Sequence, residues 1–420
     1  MRVLLLTQYY PPEPVHFQPD VVRILRERGH EVTVLTGFPC YPKGSIYEGW
    51  KQKLISDEYS DGVHIVRLPQ LPDHSKSALR RILYYVSFMT SAMTLGNFRF
   101  DKADAVLVYE SAVITGIAAT TLARLHHVPV IYYTVDLWPE SVTSTGMLKN
   151  RLALRMLQWL CGATYRSADR MVGITKGYLR RFAEMGVKPE RMDLVYYWSP
   201  ASQGGMPTGF DVASVLPADG KFRIVYAGNM GPAQDIANVL DAAALLRDLP
   251  DVEFVMIGDG LDFAALQEKK AALRLDNVRF TGRLPSEVMP AVQSRADALL
   301  VHIKSDELTR VSIPSKTQAY MQTGRPVLMA ADGESADFVT EHGFGLAVQP
   351  GIPQALADAV RKLRAMPAAE RDAMGQRGIE AYEKHCSAKV CGTRLCEIIE
   401  QAIDTRKGLR PLDPKMPSAS

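Results

Sequence analysis

Residues 2 to 36 restrict the fold more than any other stretch. Arg2 to Thr7 is a short apolar run, followed by a Pro-rich loop from Gln8 to Val15. Phe17, Val21, Ile24 and Leu25 then recur at helical spacing up to Gly29, a helix stop. A second apolar run covers His30 to Thr36. Strand, loop, helix and strand in so short a span form a βαβ unit. Such a unit requires a parallel sheet, with ligands at the C-terminal ends of its strands.

The alternation continues. Gly62 to Leu68, Asp104 to Tyr109, Pro129 to Thr134, Asp169 to Ile174 and Arg191 to Tyr197 read as strands. Ala112 to Leu125, Arg151 to Tyr165 and Lys176 to Met185 read as helices between them. Residues 201–220 are rich in Gly, Ser and Pro and read as a linker. A second α/β series starts at Phe222, with strands at 222–227, 252–257, 277–281, 298–301 and 344–348 and a strand opening at Pro326. The expected organisation is two doubly wound parallel-sheet domains, 1–200 and 221–385. A helix over 386–407 is expected to pack back on the first domain, and a disordered tail covers 408–420. Strand C-termini from both halves would line a cleft suited to joining two substrates.

Composition narrows the class. The chain has 420 residues, 47% hydrophobic and 23% charged, with a net charge of only +3. That balance argues against a dedicated nucleic-acid binder. Cys40, Cys161, Cys386, Cys391 and Cys396 show no zinc-type spacing and read as reduced thiols of a cytoplasmic protein. The apolar start is too short for a signal peptide and reads as a buried strand.

Four stretches carry candidate chemistry. The first is Arg310 to Pro326, where Pro314 and Ser315 open a helix from Lys316 to Thr323 and Gly324 closes it. A helix start flanked by Arg310 and Lys316 suits an anion such as a diphosphate. It also fits an ordinary helix entry with two surface cations. The second is Asp136, directly after an apolar strand, placed either to meet a sugar hydroxyl or accept a proton, or to form an Asx-turn or helix N-cap ahead of Trp138. His16 is either a cleft residue or a plain helix start. The third is the turn from Gly228 to Asp235, a phosphate-compatible strand–turn–helix junction. The fourth is Ile82 to Phe98, uncharged and flanked by Arg80, Arg81 and Arg99. Its basic flanks and aromatic bulk fit a helix lying in a membrane interface, with Arg81, Tyr85 and Phe88 as contacts. It also fits a helix packed on the sheet.

Four motifs stand in order along the chain: Thr-Gly-Phe-Pro-Cys-Tyr-Pro-Lys-Gly (36–44), Asp-Leu-Trp-Pro-Glu-Ser (136–141), Tyr-Ala-Gly-Asn-Met-Gly-Pro-Ala-Gln (226–234) and Ile-Pro-Ser-Lys (313–316). This series resembles the retaining glycosyltransferases of family 4, which have the GT-B fold. The look is nearest to bacterial transferases of O-antigen and capsule assembly, of the N-acetyl-L-fucosamine type. The resemblance spans Arg2 to about Arg406.

It implies a hexosyltransferase-type enzyme moving a sugar, an N-acetylated deoxyhexosamine, from a UDP-sugar to a lipid-linked, undecaprenyl-type saccharide. The anomeric configuration would be retained, at the cytoplasmic face of the inner membrane. No metal or other cofactor is implied, and the sequence has no Asp-any-Asp triplet. Asp136, Lys316, Arg310 and His16 would be catalytic. The donor would meet Gly228, Asn229, Gln234, Gly282, Arg283, Leu284, Ser312, Ile313, Pro314, Ser315, Lys316 and Gln318. The acceptor would meet Glu13, His16, Asp136 and Glu140.

The sequence departs from the family at several places. The Glu-x7-Glu pair is replaced by Val311 and Ala319, with Gln318 as a neighbouring substitute. The usual Arg and Lys after the first strand of the second domain are Asn229 and Gln234, and the His before the acceptor-loop Asp is Val135. The usual glycines near residue 15 are Val15 and His16. Two other readings keep the fold: a UDP-sugar 2-epimerase, and a non-catalytic partner subunit that has lost the Glu pair.

Overall fold

The computed structural model describes residues 1–409, except 76, 100–101, 111, 145–149 and 200–206. The chain divides into two units, Met1–Pro200 with Ala388–Ser420, and Ala201–Ser387. The expected tail lies outside the described residues from 410 onward, as does the start of the expected linker.

The first unit is built on β1 (Arg2–Leu6), β2 (Glu31–Gly37), β3 (Ser56–Ser60), β4 (Val63–Leu68), β5 (Ala105–Glu110), β6 (Val130–Thr134), β7 (Arg170–Gly173) and β8 (Met192–Leu194). Their order in the sheet is β3-β4-β2-β1-β5-β6-β7-β8. All neighbours are parallel except β3 with β4. The helices are α1 (Phe17–Glu27), α2 (Ala78–Thr94), α3 (Val113–Leu125), α4 (Glu140–Ser144), α5 (Arg151–Ser167) and α6 (Lys176–Glu184). Central strands such as β6 are buried along their whole length. That is why they read as unbroken apolar runs and not as alternating ones.

The sequence reading missed β3. Its residues are polar and mostly exposed, so they give no buried-strand signal. It forms a hairpin with β4 through Asp61 and Gly62, both at positive φ. An Asp-Gly turn is itself a hairpin signal.

The last helix, Ala388–Arg406, belongs to this first unit. Gly392 fits against Ile24 of α1, where a Cβ would lie 2.8 Å from an Ile24 methyl. Glu400 pairs with Arg28 at 3.1 Å, and Arg394 reaches the buried Asp193 at 2.9 Å. All five cysteines are buried and none is in a disulfide.

The second unit carries one parallel sheet in the order β11-β10-β9-β12-β13-β14. These strands are β9 (Phe222–Ala227), β10 (Val252–Ile257), β11 (Val278–Gly282), β12 (Ala298–His302), β13 (Val327–Ala330) and β14 (Gly345–Val348). Its helices are α7 (Val212–Val215), α8 (Ile236–Ala244), α9 (Phe263–Leu273), α10 (Met289–Gln293), α11 (Lys316–Met321), α12 (Glu334–His342), α13 (Pro353–Ala365) and α14 (Ala368–Ala381). Part of the expected linker is therefore structured: Val212, Val215 and Leu216 are buried, and Arg279 donates to the Val215 carbonyl at 2.6 Å. Strand order reverses between β9 and β12, so the loops after those strands open the crevice where α/β sheets hold ligands. Those loops carry Gly228–Gln234 and residues 303–315.

Candidate active site

Glycine geometry shapes the second unit's site. Gly228 follows β9 at φ +145°, and Gly258 follows β10 at φ +132°. A Cβ on Gly258 would lie 2.0 Å from the Gly228 carbonyl oxygen. The two loops touch backbone to backbone, which only glycine permits. Behind them opens a pocket of about 400 Å³ lined by Gly228, Asn229, Asp259, Arg283, Leu284 and Met289, among others.

Lys316, the first residue of α11, stands at this loop. Its Nζ is 4.0 Å from the centre of the Tyr226 ring and 3.0 Å from where a Gly228 Cβ would sit. Tyr320 fixes α11 to the end of β9, taking the Ala227 N–H at 2.9 Å and donating to the Ala227 carbonyl at 3.2 Å. Desolvation lowers the Lys316 pKa to about 8. An ammonium held in this way by an aromatic face and a glycine turn is a ready partner for an anion.

The other predicted donor residues divide. Asn229 donates to the Gln234 side chain at 3.0 Å, and the Gly231 N–H reaches the same oxygen, so these two amides brace the turn. Gly282 closes β11 and accepts the Gly258 N–H at 2.8 Å. Arg283 is exposed, 3.6 Å from the Asp259 carboxylate. Ile313 is buried, Pro314 caps the Thr317 N–H at 2.9 Å, and Ser315 is exposed at the helix start without a side-chain cap. Ser312 bonds locally, its hydroxyl to the Leu308 carbonyl and its own carbonyl to Ser335. Arg310 is exposed and donates to Ser305 at 3.0 Å.

Gln318 corrects an expectation. It is only 1% exposed. Oriented to satisfy its neighbours, its amide nitrogen donates to the Pro314 and Ser315 carbonyls at 3.1 and 3.0 Å. It holds the first turn of α11 together and does not replace the absent glutamates. The carboxylate that does line the pocket is Asp259, which the sequence reading passed over. Its signal was the Gly258-Asp259-Gly260 run after β10, a second glycine turn like that at Gly228.

In the first unit, Asp136 follows β6 on a loop held by two tyrosines. Tyr178 donates to the Val135 carbonyl at 3.0 Å and takes the Leu137 N–H. Tyr165 bridges the Trp138 N–H and carbonyl, each at 3.3 Å. Asp136 reaches solvent, yet the protein around it desolvates the carboxylate and pushes its pKa up to about 6. This is the range of a group able to exchange a proton near neutral pH.

The other predicted acceptor residues fare differently. His16 is exposed at the start of α1 with no side-chain capping bond. Glu13 is 3% exposed, and its carboxylate accepts the N–H groups of Tyr10, Cys40 and Tyr41 at 3.1, 2.9 and 2.8 Å. Three backbone donors make it a loop clasp and not an acceptor ligand. Glu140 is likewise buried, 3.4 Å from Arg181.

The predicted membrane contacts also need repair. Phe88 is fully buried, on an inward stripe of α2 with Tyr84 and Ala92. Tyr85 is half-buried, edge-on to Trp138 at 6.1 Å, and its hydroxyl meets Arg81 at 3.4 Å. The large apolar residues exposed on α2 are Leu79, Ile82 and Leu83, each one or two positions from Arg81. Among the described residues no helix is long and apolar enough to cross a membrane.

Comparison with known proteins places this arrangement. Residues 17–198 match the glycosyl transferase 4-like domain, and residues 210–381 match the glycosyl transferases group 1 domain. The protein is a glycosyltransferase of the GT-B fold. The glycosyltransferase is 26% identical over 388 residues to the putative colanic acid biosynthesis glycosyl transferase WcaI of Escherichia coli K12, covering 87% of this chain and 93% of that one. It is 27% identical over 231 residues to the probable glycosyltransferase WbjE of Pseudomonas aeruginosa, covering 53% and 56%. In fold it is similar to Anabaena HepE, solved with UDP (TM-score 0.68, 14% identity, 96% and 100% covered). It is also similar to WaaG, a glycosyltransferase involved in lipopolysaccharide biosynthesis (TM-score 0.63, 16% identity, 95% and 99% covered).

Proposed function

We propose that this glycosyltransferase moves a sugar from a UDP-sugar to a lipid-linked saccharide during synthesis of a bacterial surface polysaccharide. The anomeric configuration is retained, and the sugar is an N-acetylated deoxyhexosamine. The reaction takes place at the cytoplasmic face of the inner membrane, with the protein peripheral to it. The observation that carries the donor part is the Lys316 ammonium against Gly228 and Tyr226, beside a pocket large enough for a nucleoside. In this reading the base and ribose occupy the pocket near Arg283, Leu284 and Asp259. The Asp259 carboxylate takes the ribose hydroxyls that the absent glutamate would hold.

The diphosphate lies on the Gly228 turn and meets Lys316, which stabilises the charge that builds on the leaving group. No metal is assigned to this step. Asp136 orients the acceptor hydroxyl, and the departing phosphate takes its proton. The colanic acid and lipopolysaccharide roles in the names of WcaI and WaaG, and the UDP bound to HepE, support the substrate classes.

The test is incubation with a panel of UDP-sugars and an undecaprenyl-diphosphate-linked saccharide. A glycosylated lipid with retained configuration supports the proposal. An epimerised donor without transfer, or transfer only from a GDP-sugar, refutes it.

A further inference from the structure

An apolar groove of about 610 Å³ lies between α2 and α5. Ile82 and Tyr85 of α2 form one wall, and Met156 and Trp159 of α5 form the other. Trp138 lies in its lining, two residues along the chain from Asp136. The groove's outer surface is unusually apolar, with Leu152 68%, Met156 65% and Trp159 71% exposed on α5. Side chains of this size rarely stand in water together without a partner. The charge on the two helices has one sign. The two helices carry five arginines (Arg80, Arg81, Arg151, Arg155 and Arg166) and no acidic residue. Of these, Arg81 and Arg155 line the groove.

We infer that this groove holds the hydrocarbon chain of the lipid-linked acceptor, and that Arg81 and Arg155 take its phosphate. The inference rests on the proposal that the acceptor is lipid-linked. A concave apolar channel fits a single chain, whereas a flat bilayer surface needs only the convex ridge of a helix. The arginines match an anionic phosphate and not a neutral lipid. Trp138 connects the groove to the Asp136 loop, so a chain seated there brings its linked sugar toward that loop.

The test titrates the full chain with undecaprenyl phosphate in neutral-detergent micelles. Undecaprenol and inorganic phosphate serve as comparison ligands. Saturable binding of one lipid per chain is expected, at least about tenfold tighter than undecaprenol. Met156→Glu and Trp159→Glu each weaken it by at least about tenfold, since each puts a charge into the apolar wall. Both residues are mostly exposed, so the variants fold; a thermal melt checks this. Arg155→Gln gives a second reading that leaves the wall intact: it weakens undecaprenyl phosphate and spares undecaprenol. Wild-type binding by all three variants overturns the inference. So does binding to anionic vesicles without saturable binding in micelles, which makes the face a bilayer surface. A dimer that the Glu variants dissociate also overturns it, in favour of a second copy.

Transfer assays separate this inference from the proposed function. If the enzyme glycosylates a water-soluble short-chain acceptor and a long chain adds nothing to kcat/KM, the groove inference fails and the function stands. If no saccharide acceptor is used but undecaprenyl phosphate binds and the variants lose it, the groove stands and the acceptor assignment fails.

Discussion

Replacing Lys316 with methionine separates the site's chemistry from the fold's stability. Methionine keeps the unbranched stem and close to the same volume, and removes only the charge. Burial lowers the lysine from 10.5 to about 8. At about 1.36 kcal/mol per pKa unit, this is a penalty of about 3 kcal/mol on the charged form in the folded state. The side chain still reaches water, and the Tyr226 ring returns about 1 kcal/mol, so the net gain on removing the charge is about 1 kcal/mol. For a unit of this size, the melting temperature should rise by roughly 2–4 °C at pH 7.

The sign follows from the protonation states. Below pH 8 both folded and unfolded lysine are charged, and the penalty is fully present. Between about 8 and 10.5 the folded protein sheds the proton first, so the advantage of the variant fades. Activity moves the other way. Removing one preorganised charge at a leaving group costs about 3 kcal/mol of barrier, a fall in kcat of about 10²-fold. Calorimetric melts at pH 7 and pH 10, with initial rates, read both effects. A variant with wild-type kcat, or one that melts many degrees lower, refutes the reasoning.

Four further outcomes follow. The pH profile of kcat/KM should be bell-shaped. It falls on the acid side as Asp136 protonates near 6 and on the alkaline side as Lys316 loses its proton near 8, and Asp136→Asn removes the acid limb. Gly258→Ala should destabilise the second unit by about 2–4 kcal/mol in urea unfolding, because the added Cβ meets a backbone oxygen. Asp193→Ala should cost about 3–5 kcal/mol, because it strands the buried Arg170 paired with it at 2.5 Å. Arg394→Ala should cost far less in the same urea unfolding, because Arg170 still holds Asp193.

The α/β alternation could be read from the chain because buried parallel strands are continuous apolar runs and their helices show a clear period. What failed was facing. Tyr84, Tyr85 and Phe88 are close neighbours in sequence, and only packing decides that Tyr84 and Phe88 point inward. The same holds for Glu13 and Glu140. A carboxylate in a motif loop suggests a ligand, but backbone N–H groups or an arginine can claim it first, and those partners come from distant stretches such as Cys40 and Arg181. Lys316 and Gly228 could be placed from sequence because a glycine turn and a helix start have local signatures. Asp259 sits in an equally local glycine turn, but it corresponds to none of the motifs that drew attention to the others. On α5, apolar residues occupy more than one face, so the chain alone does not mark Trp159 as exposed.

The central claim is that the second unit holds a uridine diphosphate with Lys316 on its phosphates. The most direct measurement is a crystal structure of the full chain with UDP. The base is predicted beside Arg283 and Leu284, the ribose beside Asp259, and the phosphates on the Gly228 turn within ion-pair range of Lys316 Nζ. A nucleotide bound elsewhere, or bound there with Lys316 turned from its phosphates, contradicts the account.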